Sequence, residues 1–309
     1  NTSAINPVGE YNFLDGTWFF FAGTWDGSTI RIYVNGVLEG TATRTSVLAS
    51  TDTIDIGTYN SRTQSIVDGK MDEIRVYNRG LSAAEVRYLY NHGGPVAHYK
   101  MDEGSGSTAY DASNIANDGT ITGATYVTGQ YGTALDFDGT DDVVTVSNIK
   151  YIDQDIGLET GLTYSAWINA DGAGQGTGGQ VFFKGTNTWL RVDTLSGGRL
   201  DLQASLDLAT TDATLNVSSA VAVDTWHHVL MTYEDDADDE ISIYVDGILI
   251  GASTDGSGAP ASDTNSLLIA GTTTNNFDGT IDDFRVYQYS RSAAEIRVDY
   301  NAGLSTYFR

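Results

Sequence analysis

Carboxylates are the most abundant reactive groups in this sequence, and their spacing decides what they can do. Asp and Glu total 41 of 309 residues, against 16 Lys and Arg, four His and no Cys. The formal net charge of −25 repels phosphate backbones and anionic lipid, so neither nucleic-acid binding nor membrane insertion is expected. The same field attracts hard cations, whose preferred ligands are carboxylate oxygens. Without Cys there is no disulfide framework, thiolate metal site or Cys nucleophile. Glycoside hydrolysis needs two carboxyl groups facing each other across a bond. The adjacent pairs Asp72-Glu73 and Asp282-Asp283 would point to opposite faces of a strand and do not provide that. His227-His228 follow Trp226 where a matching segment has Phe19-Phe20 after Trp18, so packing is expected there, not catalysis.

Other clusters read more simply. The loop Asp111–Gly119 has oxygen donors at short spacing but not the EF-hand pattern, and turn chemistry explains it as well. Glu234–Glu240 places six carboxylates in seven positions, the composition of a solvated hairpin tip. Gly172–Gly179 lacks the Lys-Ser/Thr pair of a phosphate loop. Trp189, with Trp167, Tyr126, Tyr131 and Tyr151, supplies candidate platforms for stacking on a sugar ring. Trp189 is the residue chosen as ligand-binding, because large aromatics in family-like core phrases are expected inside.

These residues must be held by β-structure. Ile30–Val34 ends in Asn35-Gly36 and Ile241–Val245 ends in Asp246-Gly247, the strongest short-range hairpin signal. Asp138-Gly139 between Ala134–Phe137 and Val143–Val146 reads as another hairpin. Helix is expected only at Ser82–Tyr90 and Ser292–Tyr300, each opened by the capping box Ser-Ala-Ala-Glu. No stretch of about 18 apolar residues is present to span a bilayer as a helix.

The chain also repeats itself. Ile30–Gly36 matches Ile241–Gly247, Asp68–Tyr77 matches Asp278–Tyr287, and Ser82–Glu85 matches Ser292–Glu295. The second copy has a long front part that the first lacks. Residues 1–92 therefore read as the C-terminal part of one domain, 93–303 as a complete one, and 304–309 as a linker or the start of a following segment. The break falls at His92-Gly93-Gly94-Pro95. The opening at Asn1, without Met or a leader, leads us to expect a processed or excised piece of a longer protein.

Five phrases then carry a family resemblance. They are Tyr99–Gly106, Ala134–Asp142, Leu162–Ile168, Asp224–Val229 and Asp278–Tyr287. In this order they resemble the concanavalin A-like, laminin-G-like jelly rolls of secreted bacterial proteins, over 95–303 and again over 16–92. The resemblance implies an all-β antiparallel sandwich in tandem, located outside the cell. It implies a structural calcium ion held by Asp282, with Asp138 and Gly139 of the hairpin and Asp102 of the opening strand, and Asp72 as the counterpart in the first copy. The Glu-x-Asp-x-x-Glu strand of the laminarinase-like members has no match here, so no catalysis is expected. The resulting expectation is non-catalytic recognition or adhesion, with a glycan or a cell-surface or matrix protein as partner. The alternative is a spacer or self-associating filament repeat whose half-domain is completed by a neighbouring chain.

Overall fold

The computed structural model describes residues 18–45, 56–57, 69–91, 94–113, 115–147, 161–235, 238–261 and 264–301. The chain divides into two compact units, Asn1–Tyr90 and Asn91–Arg309. Tyr151 and the segment 304–309 lie outside the described residues.

In the first unit β1 (Phe21–Trp25), β2 (Thr29–Val34) and β3 (Val37–Thr43) pair antiparallel in chain order, and α1 (Ala83–Asn91) follows. Asn35 and Gly36 join β2 to β3 with φ of 50° and 78°. Two successive positive φ values define a type I′ turn, whose twist matches that of the flanking strands. The Asn35 Oδ1 also accepts the Phe20 N–H at 2.9 Å, which ties the turn to the chain entering β1. The start of α1 is closed as a capping box: Ser82 N–H donates to Glu85 Oε2 at 2.9 Å, and Glu85 N–H to Ser82 Oγ at 3.2 Å.

The second unit is an antiparallel two-sheet sandwich of the concanavalin A-like jelly-roll type. Its strands are β4 (Ala97–Tyr99), β5 (Thr108–Ala109), β6 (Gly119–Thr122), β7 (Thr125–Thr128), β8 (Thr133–Asp138), β9 (Val143–Val146), β10 (Leu162–Ala170) and β11 (Gly179–Lys184). They continue as β12 (Thr188–Ser196), β13 (Arg199–Leu206), β14 (Ala213–Ala222), β15 (Trp226–Glu234), β16 (Glu240–Val245), β17 (Ile248–Ser253), β18 (Leu267–Ile269) and β19 (Asp278–Tyr287), before α2 (Ala293–Asn301). One sheet runs β17-β16-β15-β10-β19-β8-β7, with β4 also on β19. The other runs β14-β13-β12-β11-β18-β9-β6-β5. The core lies between them, where Tyr164 of β10 stacks on Phe182 of β11 at 4.2 Å and Phe182 meets Phe284 of β19 edge-on at 5.8 Å. Asp246 and Gly247 repeat the type I′ turn at φ 52° and 76°, and Ser292 with Glu295 repeats the capping box.

Two expectations need correction. Asp138-Gly139 does not close a hairpin, because β8 and β9 belong to different sheets. The Asp-Gly pair sets a positive φ at Gly139, 74°, but the chain uses that turn to cross the sandwich. The acidic tip before β16 is also not uniformly solvated. Asp239 accepts hydrogen bonds from the Tyr233 hydroxyl and from the Gly258 N–H, each at 3.0 Å.

Candidate functional site

A β-bulge prepares the first candidate site. The β10–β19 register shifts between Ser165 and Trp167, and Asp283 takes a φ of 51°. An extra residue of this kind re-aims the side chains on either side of it. Phe284 turns into the core, and Asp282 comes opposite Trp167 in a fully buried position. The Asp282 Oδ2 accepts the Tyr131 N–H at 2.9 Å. Its Oδ1 is buried with no hydrogen-bond partner among the described residues. Burial, with the nearby Asp283 and Asp102 charges, pushes the Asp282 carboxyl up to about 7. A buried, half-satisfied carboxylate is costly unless positive charge compensates it.

Asp102 grips the same turn from the other side. Its Oδ1 accepts the Thr133 N–H at 3.0 Å. The turn is Gly129-Gln130-Tyr131-Gly132, between β7 and β8. Both glycines are required by the close approach. A Cβ at Gly129 would stand 2.7 Å from Asp282 Oδ2, and one at Gly132, where φ is 65°, would overlap Asp102 Oδ1. Two carboxylates beside one loop of backbone, with one oxygen left unpaired, are donors of the kind a hard cation prefers. Asp282 and Asp102 are the residues that would hold a calcium ion here.

The other expected ligands lie elsewhere. Asp138 pairs with Asp278 at the far end of β8 and β19, about four residues or 13 Å along the strand from Asp282. There the Asp138 Oδ1 accepts the Thr140 N–H at 2.8 Å, and Gly139 lies against Asp278. Carboxylate oxygens of Asp138, Asp141 and Asp142 lie within 4.8 Å of one another, and burial raises the Asp142 carboxyl. Asp138 and Gly139 thus belong to a crossover turn and not to the Asp282 corner. Asp72 is exposed and accepts the N–H of Glu73 at 2.8 Å. The loop at Asp111 is turn chemistry, since Asp111 accepts the N–H groups of His98, Ser113 and Asn117.

Trp189 occupies a different surface. Along β12 Leu190 and Val192 are buried in the core, so Trp189, Arg191 and Asp193 alternate to the outward face. The Trp189 ring is partly exposed. Its Nε1 donates to Asn187 Oδ1 at 3.1 Å, and the Arg191 guanidinium stacks 4.4 Å from its centroid. Arg191 is fixed in turn by Gln203 Oε1 and Thr177 Oγ1, so the ring is held in one orientation. Trp167 is no platform. It is buried, packed edge-on against Tyr131 at 5.6 Å and stacked on Tyr300 at 5.6 Å. Tyr126 donates its hydroxyl to Glu103 Oε2 at 3.1 Å.

The histidines do structural work. His227 places Nδ1 2.8 Å from Asp246 Oδ2 and accepts the Ala222 N–H on Nε2 at 3.1 Å, so Nδ1 carries the proton. His228 is buried, and that burial lowers its pKa to about 4. Sequence reading missed Gly129 and Gly132, and it offered Tyr131 as a stacking platform where the structure uses its N–H to hold Asp282. The available signal was two glycines three apart between two β-rich runs.

A family model, Laminin_G_3 of the Concanavalin A-like lectin/glucanases superfamily, matches residues 1–87 and 138–297. The chain belongs to that superfamily. None of the curated proteins matches this sequence. Among solved structures, this concanavalin A-like chain resembles domain 4 of AbnA, a GH43 extracellular arabinanase from Geobacillus stearothermophilus in complex with arabinotriose. The identity is 17%, the TM-score 0.50, and the match covers 67% of this chain and 98% of that one. It also resembles the binding domain of Paraclostridial Mosquitocidal Protein 1 (15% identity, TM-score 0.54, 68% and 52% of the two chains). A third is the botulinum neurotoxin serotype G binding domain (13%, 0.51, 69% and 52%). The chain spans about half the length of these two toxin domains.

Proposed function

We propose that this chain is a non-catalytic extracellular recognition module. It binds neutral glycan on the outward face of β12 and β13, while a calcium ion held by Asp282 and Asp102 stiffens the β7–β8 corner. The supporting observation is Trp189, an oriented and partly exposed ring set among Arg191, Asp193 and Gln203 on a sheet face. Such a surface offers the apolar side of a sugar a flat contact and its hydroxyls fixed donors and acceptors. The arabinanase domain supplies the first probe. Binding is measured by calorimetry on the full chain with neutral arabino-, xylo- and gluco-oligosaccharides of one to six units. Saturable binding that falls at least about tenfold in Trp189→Ala is expected. Absence of binding to every oligomer would turn the reading toward a protein partner.

One observation favours a second reading, the self-associating repeat. In the first unit Met71, Ile74, Val76 and Tyr77 are exposed, although they stand where the second unit buries Ile281, Phe284, Val286 and Tyr287. Regular polymers in light scattering would support it, and a monomer would end it.

A further inference from the structure

The outer edges of the two sheets meet along one side of the second unit. β14 ends one sheet and β17 the other, and a cleft of about 500 Å³ opens where they meet. Its polar lining comes from Thr214, Asn216, Glu240, Ser253, Thr254 and Asp255. Most of these groups are uncommitted. Glu240 Oε1 accepts the Ser242 hydroxyl at 2.8 Å. The Asp255 carboxylate and the Asn216 amide have no side-chain hydrogen bond among the described residues. Glu240 also sits directly opposite Glu234 in the β15–β16 register, a like-charge pair that costs stability unless something satisfies it.

Two residues of the cleft lining, Thr214 and Asn216, lie in register with the Trp189 face. In register, Trp189 leads across Ser205 to Thr214, and Arg191 leads across Gln203 to Asn216. Leu190, Ala204 and Leu215 form the alternate row, with Leu190 and Ala204 buried in the core. Thr214 and Asn216 therefore share the outward face with Trp189 and Arg191. Two strand spacings separate them, about 10 Å. Between them Ser205 is small and buried, and its Oγ has no partner among the described residues. A ring at one end and unpaired polar groups at the other therefore stand on one face of three neighbouring strands.

We propose that the seam cleft is a second subsite for the glycan read above, and that the module takes an internal stretch of a linear, neutral oligosaccharide. The chain crosses β12, β13 and β14 with one sugar at Trp189 and another in the cleft, where its hydroxyls donate to Glu240 and Asp255. A single sugar cannot reach both ends. Two carboxylates favour hydroxyl donors and repel uronic acids, so anionic polymers are excluded. This inference rests on the glycan reading.

The test uses the full chain and the same neutral oligosaccharide ladders, with oligogalacturonides as the charged control. Affinity should rise with length until both ends are filled, and the oligogalacturonides should not bind. In Glu240→Gln/Asp255→Asn the longest neutral oligomers should lose affinity on the order of tenfold, and the disaccharide should be unaffected. Both changes preserve side-chain shape, and a melting temperature no lower than that of wild type confirms the fold. If Trp189→Ala weakens binding while the double variant matches wild type at every length, the subsite is wrong and the glycan reading stands. If no oligomer binds, both fall.

Discussion

Residues 69–77 of the first unit and β19 of the second have matching sequences and opposite surroundings. They share two local features, although only the second is a strand. Glu73 and Asp283 each take a φ of 51°, and Arg75 and Arg285 each reach back to that residue's carboxylate at 2.6 Å. Their burial does not agree. Val76 is 78% exposed and Ile74 54%, against 3% for Val286 and none for Phe284. Asp72 is exposed, while Asp282 is buried with one oxygen unpaired. Sequence therefore encodes the positive φ and the ion pair locally. The neighbours β8, β10 and the Gly129–Gly132 turn turn an ordinary aspartate into a candidate cation ligand.

The largest effect should separate the two segments by packing alone. Phe284→Ala removes a ring that meets Tyr99 and Phe182 and should cost about 3–5 kcal/mol. Ile74→Ala at the matching exposed position should stay within about 0.5 kcal/mol. Calorimetric melting of the full chain measures both, and equal losses would break the comparison.

A smaller effect concerns the histidine that replaces a phenylalanine. Phe20 packs on Tyr90 at 6.0 Å, and His228 meets Tyr300 at 6.4 Å. Burial, reinforced by Arg285, holds the His228 pKa near 4, below the ordinary 6.5. The unfolded chain thus binds the extra proton first. The stability of the neutral state is complete above pH 6.5 and is lost as pH falls toward 4. His228→Phe removes that loss and should gain about 2 kcal/mol over wild type at pH 5. At pH 8 only the relief of the unpartnered Nδ1 remains. A gain that is the same at both pH values would show that titration is not the cause.

Much of this was legible in the sequence, and the reasons differ by element. The Asn35-Gly36 and Asp246-Gly247 turns and the two Ser-Ala-Ala-Glu caps are local, so a few residues specify them. Asp138-Gly139 is equally local as a turn, yet nothing in those residues says whether the chain pairs back or crosses to the other sheet. The partner turn of Asp282 was missed because Gly-Gln-Tyr-Gly is a weak hairpin signal. Its glycines answer to Asp102 and Asp282, which are distant in sequence. Trp189 stood out in the sequence only because other tryptophans sit in core-like phrases, and its outward place on β12 comes from the structure. The seam cleft joins Thr214 to Asp255 across two sheet edges, and no local pattern announces it.

The most direct measurement is the melting temperature of the full chain in calcium and then in chelator, for wild type, Asp282→Asn and Asp72→Asn. The account predicts that calcium raises the melting of the wild type and of Asp72→Asn alike, and that Asp282→Asn abolishes the difference. No calcium dependence in the wild type, or an equal loss in Asp72→Asn, would contradict it.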